Sequence, residues 1–219
     1  MIRRLSAEAL GTAFLLIGVV GSGIMAQMLS PDNTGVALLA NAIATGAILY
    51  VIITIFGPVS GAHFNPAVTL VFVMRGELTG LEAMAYIVTQ IAAAIIGVWV
   101  AHAMFDLPIW QLSGTVRSGP NQWFSEVVAT FGLVLVILGG IRHASHAVPP
   151  LVAIYITGAY WFTSSTSFAN PAVTIARSLS DTFAGILPGN IALFIGMQLV
   201  GALAAALIAR HLFAADPDV

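Results

Sequence analysis

The chain has 219 residues, of which 59% are hydrophobic and 7% charged, with seven arginines, no lysine and a formal net charge of −2. A typical soluble domain is about 25% charged, so a mean hydropathy of +0.99 makes lipid the solvent of this chain. No basic tract offers a nucleic-acid surface, and the absence of Cys excludes disulfides, thiolate metal sites and thiol catalysis.

In chain order, Met1-Ile2-Arg3-Arg4 runs into an apolar stretch without a small-residue cleavage site, which reads as a first membrane helix rather than a removed leader. That first span covers Leu5 to Met28 and carries Glu8 near its start; Pro31-Asp32-Asn33 is the turn after it. A second span, Val36 to Phe56, ends at Gly57-Pro58. Ser60-Gly61-Ala62-His63-Phe64-Asn65-Pro66-Ala67-Val68-Thr69 follows and opens a short helix from Pro66 to about Arg75. The third span, Leu81 to Phe105, carries Gln90, and residues 106–122 form the longest connection.

The pattern then begins again. Trp123 to Ile141 is a fourth span with Glu126 near its start, and Arg142 to His146 is a polar loop. A fifth span, Pro149 to Thr163, precedes Ser167-Phe168-Ala169-Asn170-Pro171-Ala172-Val173-Thr174 and a short helix to Asp181. The sixth span, Pro188 to Leu212, carries Gln198, and Asp216 to Val219 is a polar tail. Glu, Asn-Pro-Ala and Gln recur in one order, which marks a duplication of residues 1–105 as 122–219 within a single domain, 1–219, linked by 106–121. Three spans per half is an odd number, so the second copy is inverted. Arg3, Arg4, Arg75, Arg142 and Arg210 then share one side and Arg117 and Arg177 the other, which places both termini in the cytoplasm.

In each short helix Asn is the N-cap and Pro the first helical residue, where its missing N–H is harmless. Ten residues span roughly 15 Å, half of a hydrocarbon core of about 30 Å. Inverted halves bring the two helix N-termini, each worth about +0.5 charge, together at the midplane. Irregular backbone at that depth is tolerated where it lines a water-filled path. The carbonyls of Gly61, Ala62, His63, Thr166, Ser167 and Phe168 then line such a path, with His63 a candidate pore donor and Asn65 and Asn170 offering amide donors. Facing positive helix ends discourage cations and admit neutral solutes.

On these residues the whole chain resembles the aquaporin, or major intrinsic protein, family, whose hallmark is two Asn-Pro-Ala boxes among six spans. The resemblance implies an all-α membrane protein, a right-handed bundle of six transmembrane helices plus two re-entrant half helices, assembled as a homotetramer with one pore per subunit. It implies a pore built on Asn65, Pro66, Ala67, Asn170, Pro171 and Ala172, and loop-supporting roles for Glu8 and Glu126. Gln90 and Gln198 read as interhelical hydrogen-bonding groups beside them.

The family's narrowest point combines an aromatic residue, often a His, a small residue and an Arg directly after the second box. Matching by position puts the filter at Thr45, Gly158, Ser167 and Val173, with no arginine. A wide constriction of that kind admits glycerol, urea and the neutral trihydroxy acids of arsenic, antimony or boron as well as water. The second box, Phe168 to Arg177, also resembles aquaporins carried in bacterial arsenic-resistance operons, which implies arsenite or methylated arsenicals and a bacterial plasma-membrane location. Arg177, four residues beyond Val173, is a candidate outer gate; the competing reading pairs it with Asp181 at i,i+4.

The alternatives are an orthodox water-selective channel and a proton-coupled secondary transporter carrying protons on Glu8 and Glu126. An enzyme is not expected: His63, His102, His143, His146 and His211 are scattered, and no catalytic constellation, metal cluster or cofactor motif is present.

Overall fold

The computed structural model describes residues 1–214, so the expected polar tail, Asp216 to Val219, lies outside the described residues. Its helices, in chain order, are α1 (Ile2–Leu29), α2 (Thr34–Ser60), α3 (Pro66–Met74), α4 (Gly80–Met104), α5 (Pro120–His143), α6 (Val148–Phe162), α7 (Pro171–Arg177) and α8 (Ile191–Leu212). Five of them, α1, α2, α4, α5 and α8 with its preceding 3₁₀ turn, are long and apolar enough to cross a membrane. The expected fifth span, α6, has only 15 helical residues, or about 22 Å. A 3₁₀ turn over Ser145–Ala147 precedes it and lengthens the rod by about 6 Å. Pro149 and Pro150 sit in the first turn of α6, where their missing N–H groups break no ladder.

The polar loop expected over Arg142 to His146 is shorter than predicted, because α5 runs to His143. The second half helix also stops earlier than predicted, at Arg177 rather than Asp181. Ser178, Leu179 and Ser180 donate their N–H groups to Ile175, Ala176 and Arg177, so the chain tightens into i→i+3 turns. The Ser178 hydroxyl adds a 2.7 Å bond back to the Ile175 carbonyl.

Packing follows the duplication. α1 lies against α2 and α4, and α5 against α6 and α8. The halves meet where α2 packs on α6, α4 on α7 and α3 on α8. Glycine permits the closest crossings: a Cβ on Gly97 would lie 2.5 Å from the Ala13 carbonyl oxygen, and one on Gly201 2.3 Å from that of Val127. Backbone cannot step aside as a side chain does, so Gly201→Val should destabilise the α5–α8 pair by about 3 kcal/mol. Thermal unfolding in detergent checks this, with Gly196→Val, which meets nothing within 4 Å, expected to melt like the parent.

Candidate functional site

The two boxes begin with the same strained backbone. Gly61, Ala62 and Phe64 have φ of 88°, 51° and 49°, and Thr166, Ser167 and Ala169 have 61°, 51° and 46°. Five of these six residues carry a Cβ that resists the left-handed region, so surrounding structure must hold them there. Glu8 does this for the first loop. Its carboxylate accepts from the Ser60 hydroxyl at 2.6 Å, the His63 and Phe64 N–H groups at 3.0 and 2.8 Å, and the Gln90 amide at 2.8 Å. Glu126 does it for the second, accepting from the Phe168 and Ala169 N–H groups at 3.0 and 2.9 Å and from Gln198 at 2.6 Å.

Each Gln gives its second amide hydrogen to the half helix. Gln90 donates to the Thr69 hydroxyl at 3.0 Å and Gln198 to that of Thr174 at 2.9 Å. Those hydroxyls in turn donate to the Asn65 and Asn170 carbonyls. Neither glutamate borders the cavity described below, and both are fully buried. Their oxygens are occupied by loop donors, which leaves a proton-carrying reading without geometric support.

The half-helix N-termini face one another. Asn65 caps α3 by accepting from Ala67 N–H, and Asn170 caps α7 by accepting from Ala172 and Val173 N–H. The Asn65 amide donates across to the Ala169 carbonyl at 2.7 Å, and the Asn170 amide to the Phe64 carbonyl at 2.8 Å. One amide hydrogen of each Asn is therefore used to join the two loops. The second remains, and both residues border a cavity of about 530 Å³.

Pro66, Ala67, Pro171 and Ala172 are buried in the first turns of α3 and α7, behind the asparagines. Of the expected carbonyl positions, Gly61, Ala62, His63, Ser167 and Phe168 border the cavity and Thr166 does not. His63 packs against Phe72 and Tyr86 at tilted angles of 34° and 60°, with centroids at 4.4 and 5.4 Å. Its Nδ1 lies 3.2 Å from the Thr69 hydroxyl, whose one proton goes to Asn65, so Nδ1 is the donor and Nε2 an acceptor.

Of the four expected filter positions, Thr45, Ser167 and Val173 border this cavity, but Gly158 does not. Gly158 is exposed on α6, on the same stripe as Leu151, Ile154 and Trp161. Successive helical residues turn by about 100°, so a position two residues from Ile156 or Tyr160 points to the opposite side. Ile156 and Tyr160 face the cavity instead, and the Tyr160 hydroxyl lies 3.2 Å from that of Thr45. An aromatic ring therefore stands where none was expected.

Arg177 is not paired with Asp181. Asp181 accepts from the Gly114 N–H at 3.0 Å, while Arg177 is 2% exposed and borders the cavity with its guanidinium 3.5 Å from the Phe168 ring centroid. Its Nε donates to the Ala184 carbonyl. Sequence reasoning missed Arg117, which reaches from the long connection to the Gly185 carbonyl at 2.8 Å. It rests over the same ring at 5.1 Å. No sequence signal distinguishes it from a solvated loop arginine.

A helical membrane bundle in which the N-termini of two opposed half helices meet at one cavity is the architecture of a channel. The description "Major intrinsic protein" matches residues 1–161, a span that ends before the second box, and the chain belongs to the major intrinsic protein family. It is 58% identical over 210 residues to the aquaglyceroporin AqpS of Rhizobium meliloti (strain 1021), covering 96% of this chain and 90% of that one. It is 30% identical to aquaporin NIP2-3 of Zea mays, over 84% of this chain and 62% of that protein. The X-ray structure of the aquaglyceroporin from Plasmodium falciparum superposes with a TM-score of 0.69 over 97% of this chain and 95% of that one, at 20% identity. The fold is thus the aquaporin fold, in a multi-pass integral membrane protein.

Proposed function

We propose that the chain is a passive channel for small neutral solutes: water, glycerol and urea-like molecules, the neutral trihydroxy acids of arsenic and antimony, and methylated arsenicals. The observation that carries this reading is Val173. An uncharged, modest side chain occupies the face of α7 between Asn170 and Arg177, where an arginine would fill the passage. Thr45, Tyr160 and Ser167 complete the filter and add a few hydroxyls to a mostly apolar lining. That combination suits a solute with a hydrocarbon or metalloid body and several OH groups.

The similarity to AqpS, an aquaglyceroporin by name, supports the glycerol class, and the second box's likeness to arsenic-operon aquaporins supports the metalloid acids. The remaining carbonyls of Gly61, Ala62, His63, Ser167 and Phe168 supply acceptors along the path. The working unit is a homotetramer with two inverted halves per subunit, both termini on the cytoplasmic side, in a bacterial plasma membrane.

Stopped-flow swelling of proteoliposomes with water, glycerol, urea, arsenite and methylarsenite tests this. Non-saturating flux of glycerol and arsenite, indifferent to a pH gradient, is expected; a saturating, gradient-driven flux points to a transporter instead. Val173→Arg should cut glycerol and arsenite flux by about tenfold or more, since lost cross-section and an added charge both oppose entry. Unaltered passage of the larger solutes in that variant removes Val173 from the filter.

A further inference from the structure

We propose that Arg177 is the fixed cation of this pore, delivered from one helical turn beyond the position that Val173 occupies, and that Arg117 is the residue that positions it. The proposal rests on the neutral-solute channel reading above and says how such a wide pore refuses ions.

Asn170, Val173 and Arg177 all border the cavity, as residues at i, i+3 and i+7 of one helix must. Four residues separate the last two, which places the Cα of Arg177 about 6 Å farther along α7 than that of Val173. The side chain does not hang loose in a vestibule. Its guanidinium carbon lies over the ring of Phe168, a residue of the second re-entrant loop that is itself only 4% exposed. Nε is tied to the Ala184 carbonyl, while Nη1 and Nη2 have no hydrogen-bond partner among the described residues.

The shelf that holds it is built by the connection between the two halves. Arg117 gathers three carbonyls, donating to Gly185 at 2.8 Å and to Phe183 and Ser165 at 3.4 Å each. Two of them flank Ala184, the carbonyl on which Arg177 rests. Backbone bonds from Leu187 to Thr115 at 2.7 Å and from Ser113 to Ser178 at 2.9 Å dock the same segment. Gly185 permits the fit, because a Cβ there would fall 2.1 Å from the Ser113 hydroxyl and 2.5 Å from the Ser180 carbonyl.

Among the described residues no carboxylate forms an ion pair with either guanidinium. Among the described residues the ion pairs are Arg4–Glu82 and Arg75–Glu77. Asp181 is turned to Gly114, and Glu126 is held by loop N–H groups and Gln198. An unpaired cation in a low-dielectric passage repels protons and metal ions, and its terminal N–H groups remain available to the oxygens of a neutral solute. Charge and width are then set by different residues, Arg177 and Val173.

The test uses the full chain in proteoliposomes, with glycerol swelling and an internal pH dye read in the same vesicles. Arg177→Gln removes the charge and keeps a planar amide. Proton and Na⁺ leak should rise about tenfold, while glycerol flux falls a few-fold as donors are lost. Arg177→Lys should stay tight to ions. A misfolded channel lowers both fluxes, so a rise in one with a fall in the other separates the two cases. Arg117→Gln should raise the leak alone but add nothing in the Arg177→Gln background.

Unchanged ion leak in Arg177→Gln, with glycerol still passing, overturns the proposal. Additive leak in the double variant overturns the positioning role of Arg117. Failure of the parent channel to pass any neutral solute refutes the channel reading instead.

Discussion

Glu8→Ala and Glu126→Ala should each abolish the folded channel. Truncating Glu8 strands four donors, the Ser60 hydroxyl, the His63 and Phe64 N–H groups and the Gln90 amide, in a fully buried site. A buried donor left without its acceptor costs about 1–3 kcal/mol, so four exceed about 4 kcal/mol, a large share of a typical net stability of 5–15 kcal/mol. Glu126 leaves three donors in the same position. The left-handed residues of each loop would also lose the bonds that hold them, and the loops would relax out of the membrane interior.

Glutamine variants separate size from charge. Glu8→Gln keeps the volume but turns an amide N–H toward donors, so it should fold in reduced yield. Size-exclusion profiles in detergent and osmotic water permeability of proteoliposomes check both expectations. An alanine variant of either glutamate that is monodisperse and conducts water within about twofold of the parent would refute the supporting role.

Much of this site can be read in the chain because it occurs twice. A single intramembrane Glu, or a single Asn-Pro-Ala, has several readings; the same three features in the same order have few, and two loop N–H groups and a Gln amide bind the Glu in both halves, with the Ser60 hydroxyl a further donor to Glu8. What could not be read depends on geometry that no repeat announces. The register of α6 is one case: counting back through an irregular loop gave Gly158, and an error of two residues turns a helix position through about 200°. Tyr160 was therefore missed as a residue bordering the cavity.

Arg177 is another case. The i,i+4 pairing with Asp181 presumed a helix that continued, whereas α7 ends at Arg177 and releases Asp181 to the Gly114 N–H. Arg117 lies in the connection between the halves, which has no counterpart elsewhere in the chain, so its contact with the second loop carries no internal echo.

Asn65→Asp and Asn170→Asp should turn the midplane from a barrier into a path for cations. Each Asn does two things at once: its oxygen caps its own half helix, and its amide joins the opposite loop at 2.7 or 2.8 Å. Aspartate keeps the cap but sets a carboxylate oxygen against the Ala169 or Phe64 carbonyl, so the cross-link is lost. It also puts a full negative charge between two helix ends worth about +0.5 each, which cancels the positive potential there. Proton and Na⁺ leak should rise by about tenfold or more for either variant, and further for the double variant. Asn65→Ser separates the two effects, because serine caps the helix without charge or amide; neutral flux should fall while ion leak stays low. The potentials of the two helix ends and of the Arg177 guanidinium overlap in a low-dielectric passage and raise one barrier, so their contributions add in free energy and multiply in rate. The leak of Asn65→Asp combined with Arg177→Gln should then approach the product of the single increases, and an ion leak no greater than that of Asn65→Asp alone would mean that only one of the two levels excludes charge.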